Sequence, residues 1–122
     1  MSGCTDTYVP ATEAAVTAIT PAEAARFHRR AGVEFVDPRP AEVIARTTGL
    51  IPGARNIAID DIEAGRLPGA FADRSLHVIT SCLAGPMAAR AAAAFAKLGF
   101  DRVSYVEGGT TAWVEAGYPT VK

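Results

Sequence analysis

Residues 76–98, LHVITSCLAGPMAARAAAAFAKL, contain the clearest strand-to-helix pattern in the chain. The opening of this stretch, residues 76–81, is rich in apolar and β-branched side chains and predicts a buried strand. Pro86 suits the first turn of a helix, and Gly99, just beyond the stretch, predicts where that helix stops. Because only a short connection separates strand from helix, Cys82 is placed at the carboxyl end of the strand.

The helix predicted from Pro86 to about Leu98 is amphipathic. Its buried stripe recurs at helical spacing and consists of Ala88, Ala91, Phe95 and Leu98. Arg90 and Lys97 fall on the opposite, solvated face. The small alanine side chains predict close packing of this helix against a sheet.

The rest of the chain repeats the alternation of strand and helix. Further strands are predicted at 16–19, 33–37, 56–59 and 103–106, and further helices at 21–31, 40–46, 60–65 and 111–116. The pattern predicts an α/β fold, a three-layer sandwich with a mostly parallel five-stranded sheet and helices on both faces. We expect residues 16–122 to form this single domain and residues 1–15 to be a flexible leader.

Composition argues against several classes of protein. The 122 residues include 12 basic and 13 acidic side chains, a net charge of −1, so nucleic acid is not an expected partner. No apolar run reaches the roughly 18 residues of a membrane span, and residues 1–10 do not resemble a secretory signal. Two cysteines, Cys4 and Cys82, are too few for a disulfide scaffold. A cytoplasmic location without a membrane partner is therefore expected.

Cys82 is the candidate reactive residue. Ligands in open α/β sheets bind beyond the carboxyl ends of the strands, where Cys82 is predicted to lie. Backbone N–H groups at the start of the following helix would favour a thiolate or a persulfide anion there. Pro86 removes one of these donors because it has no N–H. A buried structural cysteine is the alternative interpretation, and the position alone does not decide between them.

Motifs from about Thr20 to Val121 resemble those of the rhodanese family in order and spacing. They are Asp37-Pro38-Arg39, Ile51-Pro52-Gly53-Ala54-Arg55-Asn56-Ile57, the active loop Cys82-Leu83-Ala84-Gly85-Pro86-Met87, and the closing Glu107-Gly108-Gly109, Ala112-Trp113 and Gly117-Tyr118-Pro119. Each motif alone is weak, whereas the ordered set is specific. The resemblance implies a single-domain, rhodanese-like fold.

The resemblance also implies a sulfurtransferase with a double-displacement mechanism. Cys82 would take a sulfur atom from a small-molecule donor such as thiosulfate and hold it as a persulfide. A thiol, or cyanide in an assay, would then accept the sulfur, and a protein can also supply that thiol. No metal and no organic cofactor is implied, because the cysteine itself carries the sulfur.

The active loop departs from the family at two positions where arginine is frequent, now Leu83 and Met87. The loop residues expected to meet substrate are Leu83, Ala84, Gly85, Pro86, Met87 and Ala88. A cation about 5 Å from a dianion contributes roughly 1–3 kcal/mol, so this neutral loop predicts weak binding of thiosulfate. We therefore expect a less anionic or more apolar donor, such as a low-molecular-weight persulfide.

Three charged residues are candidates for bordering or supporting the pocket, namely Asp37, Arg39 and Arg90. Each also has a structural interpretation. Asp37 would accept backbone N–H bonds, Arg39 would pair with Glu42, and Arg90 would form a salt bridge with an acidic neighbour.

Other functions compete with sulfur transfer. A phosphatase loop of the Cys-x5-Arg type needs arginine at the sixth position after the cysteine, where this chain has Ala88. A non-catalytic interaction domain would keep Cys82 only as a packed thiol. A sulfur carrier or redox sensor would accept persulfide from a protein partner, and Cys4 could then resolve it as a disulfide.

Overall fold

The computed structural model of the protein describes residues 16–122, so the predicted leader and Cys4 lie outside the described residues. The strands are β1 (Val16–Ile19), β2 (Val33–Asp37), β3 (Arg55–Asn56), β4 (His77–Thr80) and β5 (Arg102–Val106). The helices are α1 (Pro21–Phe27), α2 (Ala41–Arg46), α3 (Ile59–Ala64), α4 (Pro86–Lys97) and α5 (Gly109–Glu115). A 3-10 turn that the sequence did not predict spans Gly69–Ala72.

The strands form one five-stranded sheet in the order β1-β5-β4-β2-β3. All four pairings are parallel. The carboxyl ends of β2, β4 and β5 therefore meet at the same edge of the sheet. This arrangement confirms the predicted α/β class and its parallel sheet.

Helices cover both faces of the sheet and create two hydrophobic clusters. The cluster under α3 and α4 includes Ile62, Phe71, Val78, Phe95 and Phe100. The cluster under α1 and α5 includes Ile19, Ala24, Phe35, Ile79 and Trp113. Six residues of α4 are buried, five of them alanines, so this helix packs close to the strands as expected.

Helix α1 is shorter than the predicted 21–31 because the chain leaves helical geometry at His28. The capping box of Thr20 and Glu23 forms at its start as predicted. At its end, His28 is extended and its Nε2 lies 2.7 Å from the carbonyl oxygen of Pro52. Arg29 has a φ of 65°, which an α-helix does not contain. A contact with a distant segment thus ends the helix before the glycine that was expected to stop it.

Strand β3 is also displaced from the predicted 56–59 and covers only Arg55–Asn56. Asn56 donates from its side chain to the carbonyl oxygens of Asp37 and Arg39, at 3.0 and 2.7 Å. These bonds tie the strand to the end of β2, and helix α3 begins at Ile59. The remaining boundaries differ from prediction by one or two residues, where terminal hydrogen bonds fray.

Phe71 should be essential to the first cluster, because its fully buried ring stacks on Phe95 at 5.8 Å and meets Phe100 at 6.1 Å. We expect Phe71→Ala to lower the free energy of unfolding by about 3–5 kcal/mol, measured by urea denaturation. Val114→Ala, at a side chain that is 43% exposed, should cost much less. Equal losses in the two variants would contradict this assignment of the core.

Stability should fall in mildly acidic solution because of His77. Burial, and secondarily the charge of Arg102, hold the pKa of His77 below its usual 6.5. Below about pH 6.5 the imidazole of His77 is therefore protonated more readily in the unfolded chain than in the folded chain. The free energy of unfolding falls as the pH drops from about 6.5 toward the folded-state pKa. Urea midpoints at pH 7.5 and 5.5 should differ more for the natural chain than for His77→Gln. An equal difference would remove His77 as the cause.

Candidate active site

Cys82 lies just beyond the carboxyl end of β4 and is 3% exposed. The backbone N–H of Gly85 donates to its Sγ at 3.0 Å. Gly85 has a φ of 131°, a conformation that side chains disfavour, and this turn brings its N–H toward the sulfur. The loop therefore presents a hydrogen-bond donor to any negative charge on the sulfur.

The loop is anchored to the sheet on both sides of the cysteine. Ser81 donates its backbone N–H to the carbonyl oxygen of Val36 at 3.0 Å, which extends the contact with β2. Thr80 donates its hydroxyl to the carbonyl oxygen of Ala88 at 2.7 Å and so ties the end of β4 to the first turns of α4. Cys82 is thus held between two points attached to the central strands.

The start of α5 braces the same loop from the neighbouring strand. The N–H groups of Thr110 and Thr111 donate to the carbonyl oxygens of Cys82 and Leu83, at 2.7 and 3.1 Å. The hydroxyls of Ser81 and Thr110 are 2.7 Å apart and buried. A Cβ on Gly109 would lie 2.7 Å from the carbonyl oxygen of Cys82, so this close approach requires glycine.

Sequence reasoning missed Ser81 and Thr110 as supporting residues. In the sequence, Gly108 and Gly109 belong to a family motif and lead into the predicted final helix. A pair of glycines directly after a strand was the available signal, because it permits one backbone to approach another closely. The partner in that approach depends on the order of strands in the sheet, and the order was not predicted.

The predicted loop residues differ in exposure. Leu83 is 42% exposed, Ala84 and Pro86 are exposed, and Met87 is half-buried. Ala88 is fully buried and belongs to the packing of α4 rather than to the rim. The loop surface around Cys82 is therefore apolar and carries no charge of its own.

Asp37 and Arg39 form a buried ion pair at the end of β2. The guanidinium donates from Nε and Nη2 to the carboxylate at 2.9 and 2.6 Å, and both residues are at most 3% exposed. The predicted backbone bond to Asp37 is present, from the N–H of Arg39 at 3.1 Å. The predicted pairing of Arg39 with Glu42 is wrong, because the guanidinium turns inward to Asp37 and to the hydroxyls of Thr47 and Thr48. None of these bonds reaches the Cys82 loop.

Arg90 forms the predicted salt bridge with an acidic neighbour. Its guanidinium binds Glu63 through two hydrogen bonds of 2.6 and 2.7 Å between α4 and α3. The hydrogen bond from Arg90 holds the pKa of Glu63 below its usual value. The charge of Arg90 is thereby matched by a carboxylate on the helix surface and makes no contact with Cys82.

The other residues that the sequence singled out have packing contacts. Trp113 is buried, and its Nε1 donates to the carbonyl oxygen of Pro119 at 2.8 Å. Tyr118 packs against Trp113 with ring centroids 4.9 Å apart.

Within residues 16–122, no group of three or more His, Cys, Asp or Glu side chains is arranged to hold a metal ion. The helices of that region also include none long and apolar enough for a bilayer.

Solved structures with the same fold include several described as rhodanese-related. A protein of unknown function and possible tyrosine phosphatase from Rhodopseudomonas palustris is 27% identical, with a TM-score of 0.79 over 88% of this chain and 86% of the other. A rhodanese-related protein from Thermoplasma volcanium is 28% identical, with a TM-score of 0.67 over 84% and 95%. A rhodanese homologue from Thermus thermophilus is 27% identical, with a TM-score of 0.60 over 78% and 98%.

Curated proteins yielded no significant match to the chain. The family model for the rhodanese-like domain, in contrast, matches residues 20–116, which is most of the sequence. That match spans every strand after β1, the Cys82 loop and the braced start of α5. The chain therefore belongs to the rhodanese-like domain family.

Proposed function

We propose that this protein is a sulfurtransferase that carries a sulfur atom as a persulfide on Cys82. The observation that supports this most directly is the Gly85 N–H that donates to Sγ at the carboxyl edge of the sheet. Such a donor stabilises negative charge that develops on the sulfur during transfer. The chain belongs to the rhodanese-like family, and the family match includes the Cys82 loop. This membership supports the same chemistry.

The reaction consists of two displacements at sulfur. In the first, the Cys82 thiolate attacks the outer sulfur of the donor, a new S–S bond forms, and the donor's own S–S bond breaks. The rest of the donor molecule leaves with the electron pair of the broken bond, as sulfite from thiosulfate or as a thiolate from a persulfide. In the second, an acceptor thiolate attacks the outer sulfur and releases the Cys82 thiolate. Charge and electrons balance without a cofactor.

The protein's contribution is to hold this loop still. Thr110 and Thr111 bind the carbonyl groups of Cys82 and Leu83, and Gly85 faces the sulfur with its N–H. Donors already in place cost no reorganisation when charge moves to the sulfur. The buried hydroxyl pair of Ser81 and Thr110 supports the same position without touching the substrate.

The charge distribution favours a donor less anionic than thiosulfate. Residues 82–88 are uncharged, and the two arginines considered for the pocket are bound elsewhere, Arg39 by Asp37 and Arg90 by Glu63. Exposed Leu83 offers apolar contact instead. A low-molecular-weight persulfide fits this surface as donor, with a small-molecule or protein thiol as acceptor.

Phosphatase chemistry gains no support from the loop, although one structural neighbour is described as a possible tyrosine phosphatase. Clamping a phosphate requires an arginine aimed at the loop. Ala88 occupies the sixth position after Cys82 and is fully buried.

The first test is intact-mass measurement after incubation with glutathione persulfide and, separately, with thiosulfate. We expect the natural chain to gain one sulfur atom, with glutathione persulfide the better donor. The Cys82→Ser variant should gain none, because the attacking thiolate is absent. Subsequent addition of a thiol should remove the sulfur from the natural chain.

If neither donor forms an adduct and Cys82 is alkylated slowly, the sulfurtransferase proposal is refuted. A non-catalytic interaction domain would then be the favoured interpretation. Transfer that occurs only when a protein donor is present would indicate a sulfur carrier or redox sensor. A strong preference for thiosulfate would refute the donor class while leaving the persulfide mechanism in place.

Restoring a cation to the loop should shift the donor preference. We expect Leu83→Arg to raise kcat/KM for thiosulfate about 10-fold at low salt, with little change for the persulfide donor, because the dianion gains an attractive charge. The gain should shrink as ionic strength rises. Leu83→Gln is the matched polar, uncharged control, and an equal gain in that variant would exclude an electrostatic cause.

A further inference from the structure

A cavity lies on the α1 and α5 face of the sheet, at the end opposite to Cys82. It has a volume of about 550 Å³, within the range of small-molecule sites. Its walls include the first residues of two central strands, His77 of β4 and Arg102 of β5, which are paired in register. Cys82 follows the opposite, carboxyl end of β4, so the cavity is separate from the candidate active site.

The inner wall of this cavity is apolar and aromatic. Ile19 of β1 is 8% exposed, and the half-buried ring of Phe27 comes from α1. Phe27 meets the ring of His77 edge-on, with centroids 4.8 Å apart. These side chains offer a surface on which a small ring or a short aliphatic group can pack.

His77 brings a polar group to the same wall. The residue is 7% exposed, and its Nε2 lies 2.9 Å from the hydroxyl of Ser104. Its Nδ1 has no hydrogen-bond partner among residues 16–122. No fully buried side-chain nitrogen or oxygen in that part of the chain lacks a partner. Nδ1 is therefore not fully buried, and His77 lines the cavity.

Arginines line the cavity rim, namely Arg26 and Arg30 of α1 and Arg102 of β5. Within residues 16–122, none of the three has a carboxylate oxygen within 4.0 Å; ion pairs there involve other arginines. All three side chains are exposed. Arg102 donates only one long hydrogen bond, from Nη2 to the carbonyl oxygen of Ser75 at 3.5 Å, so these guanidinium groups keep donors for an anion from solution.

The rim also contains two carboxylates, Glu23 and Asp101. Glu23 already accepts hydrogen bonds from the backbone N–H and the hydroxyl of Thr20, at 2.9 and 3.2 Å. With Asp101 also at the rim, three arginines and two carboxylates surround the cavity. A monoanion balances this excess, whereas Asp101 would repel a second negative charge.

We propose that this cavity binds a small organic carboxylate with an apolar body. The apolar part lies against Ile19 and Phe27, and the carboxylate meets the rim arginines, whose planar guanidinium groups match its geometry. In the tautomer of His77 whose Nε2 accepts from the hydroxyl of Ser104, Nδ1 carries the proton and can donate it to a carboxylate oxygen. Cys82 does not line this cavity, so carboxylate binding there is independent of the proposed sulfur transfer.

The proposal is tested by NMR titration of the full chain with benzoate, benzamide and acetate. Benzoate should shift the signals of residues 26–30, 77 and 102–104 and leave those of residues 82–86 unchanged. Benzamide lacks the charge and acetate lacks the ring, so each should bind roughly 10-fold more weakly or worse. Cys82→Ser should bind benzoate like the natural chain.

Removing single arginines identifies the contact. Arg102→Gln and Arg30→Gln should each weaken benzoate binding about 5- to 10-fold. Arg46→Gln, at an exposed arginine of α2 outside the cavity, removes the same charge and should leave affinity unchanged. An equal loss in Arg46→Gln, equally tight binding of benzamide, or benzoate shifts confined to the Cys82 loop would each overturn the proposal.

Discussion

The contact between the start of α5 and the Cys82 loop couples the site to the sheet. The N–H groups of Thr110 and Thr111 bind carbonyl oxygens of the loop, and Gly109 lets the two backbones meet. Because α5 follows β5 and the loop follows β4, the contact forms only when those strands pair. The loop geometry that presents Gly85 to the sulfur therefore depends on the folded sheet and not on the loop alone.

Charge is distributed unevenly over the two ends of the sheet. At the carboxyl end, Arg39 is neutralised inside the protein and Arg90 on its surface, so the rim of Cys82 stays apolar. At the amino end, the arginines around His77 lack carboxylate partners among residues 16–122. The site expected to handle a nucleophilic sulfur is thus the uncharged one, and affinity for a carboxylate is expected at the other end.

Much of the fold followed from local patterns in the sequence. The bounds of β1 and β2 match the prediction, and α4 begins at Pro86, because alternation, capping and proline chemistry act over a few residues. The end of α1 and the extent of β3 did not follow. Both are decided by side chains that reach distant backbone, His28 to Pro52 and Asn56 to the end of β2.

The order of elements, and the place of Cys82 between a strand and a helix, can be predicted without coordinates because hydrophobic periodicity and turn residues are local signals. The sequence also carries the motifs of the family. The pairing of Arg39 with Asp37 and the support of the loop by Thr110 emerge only from the folded arrangement. The meeting of arginines from α1 and β5 at one cavity likewise depends on the tertiary structure. These outcomes join segments far apart in the chain, and their meeting depends on strand order and packing rather than on neighbouring residues.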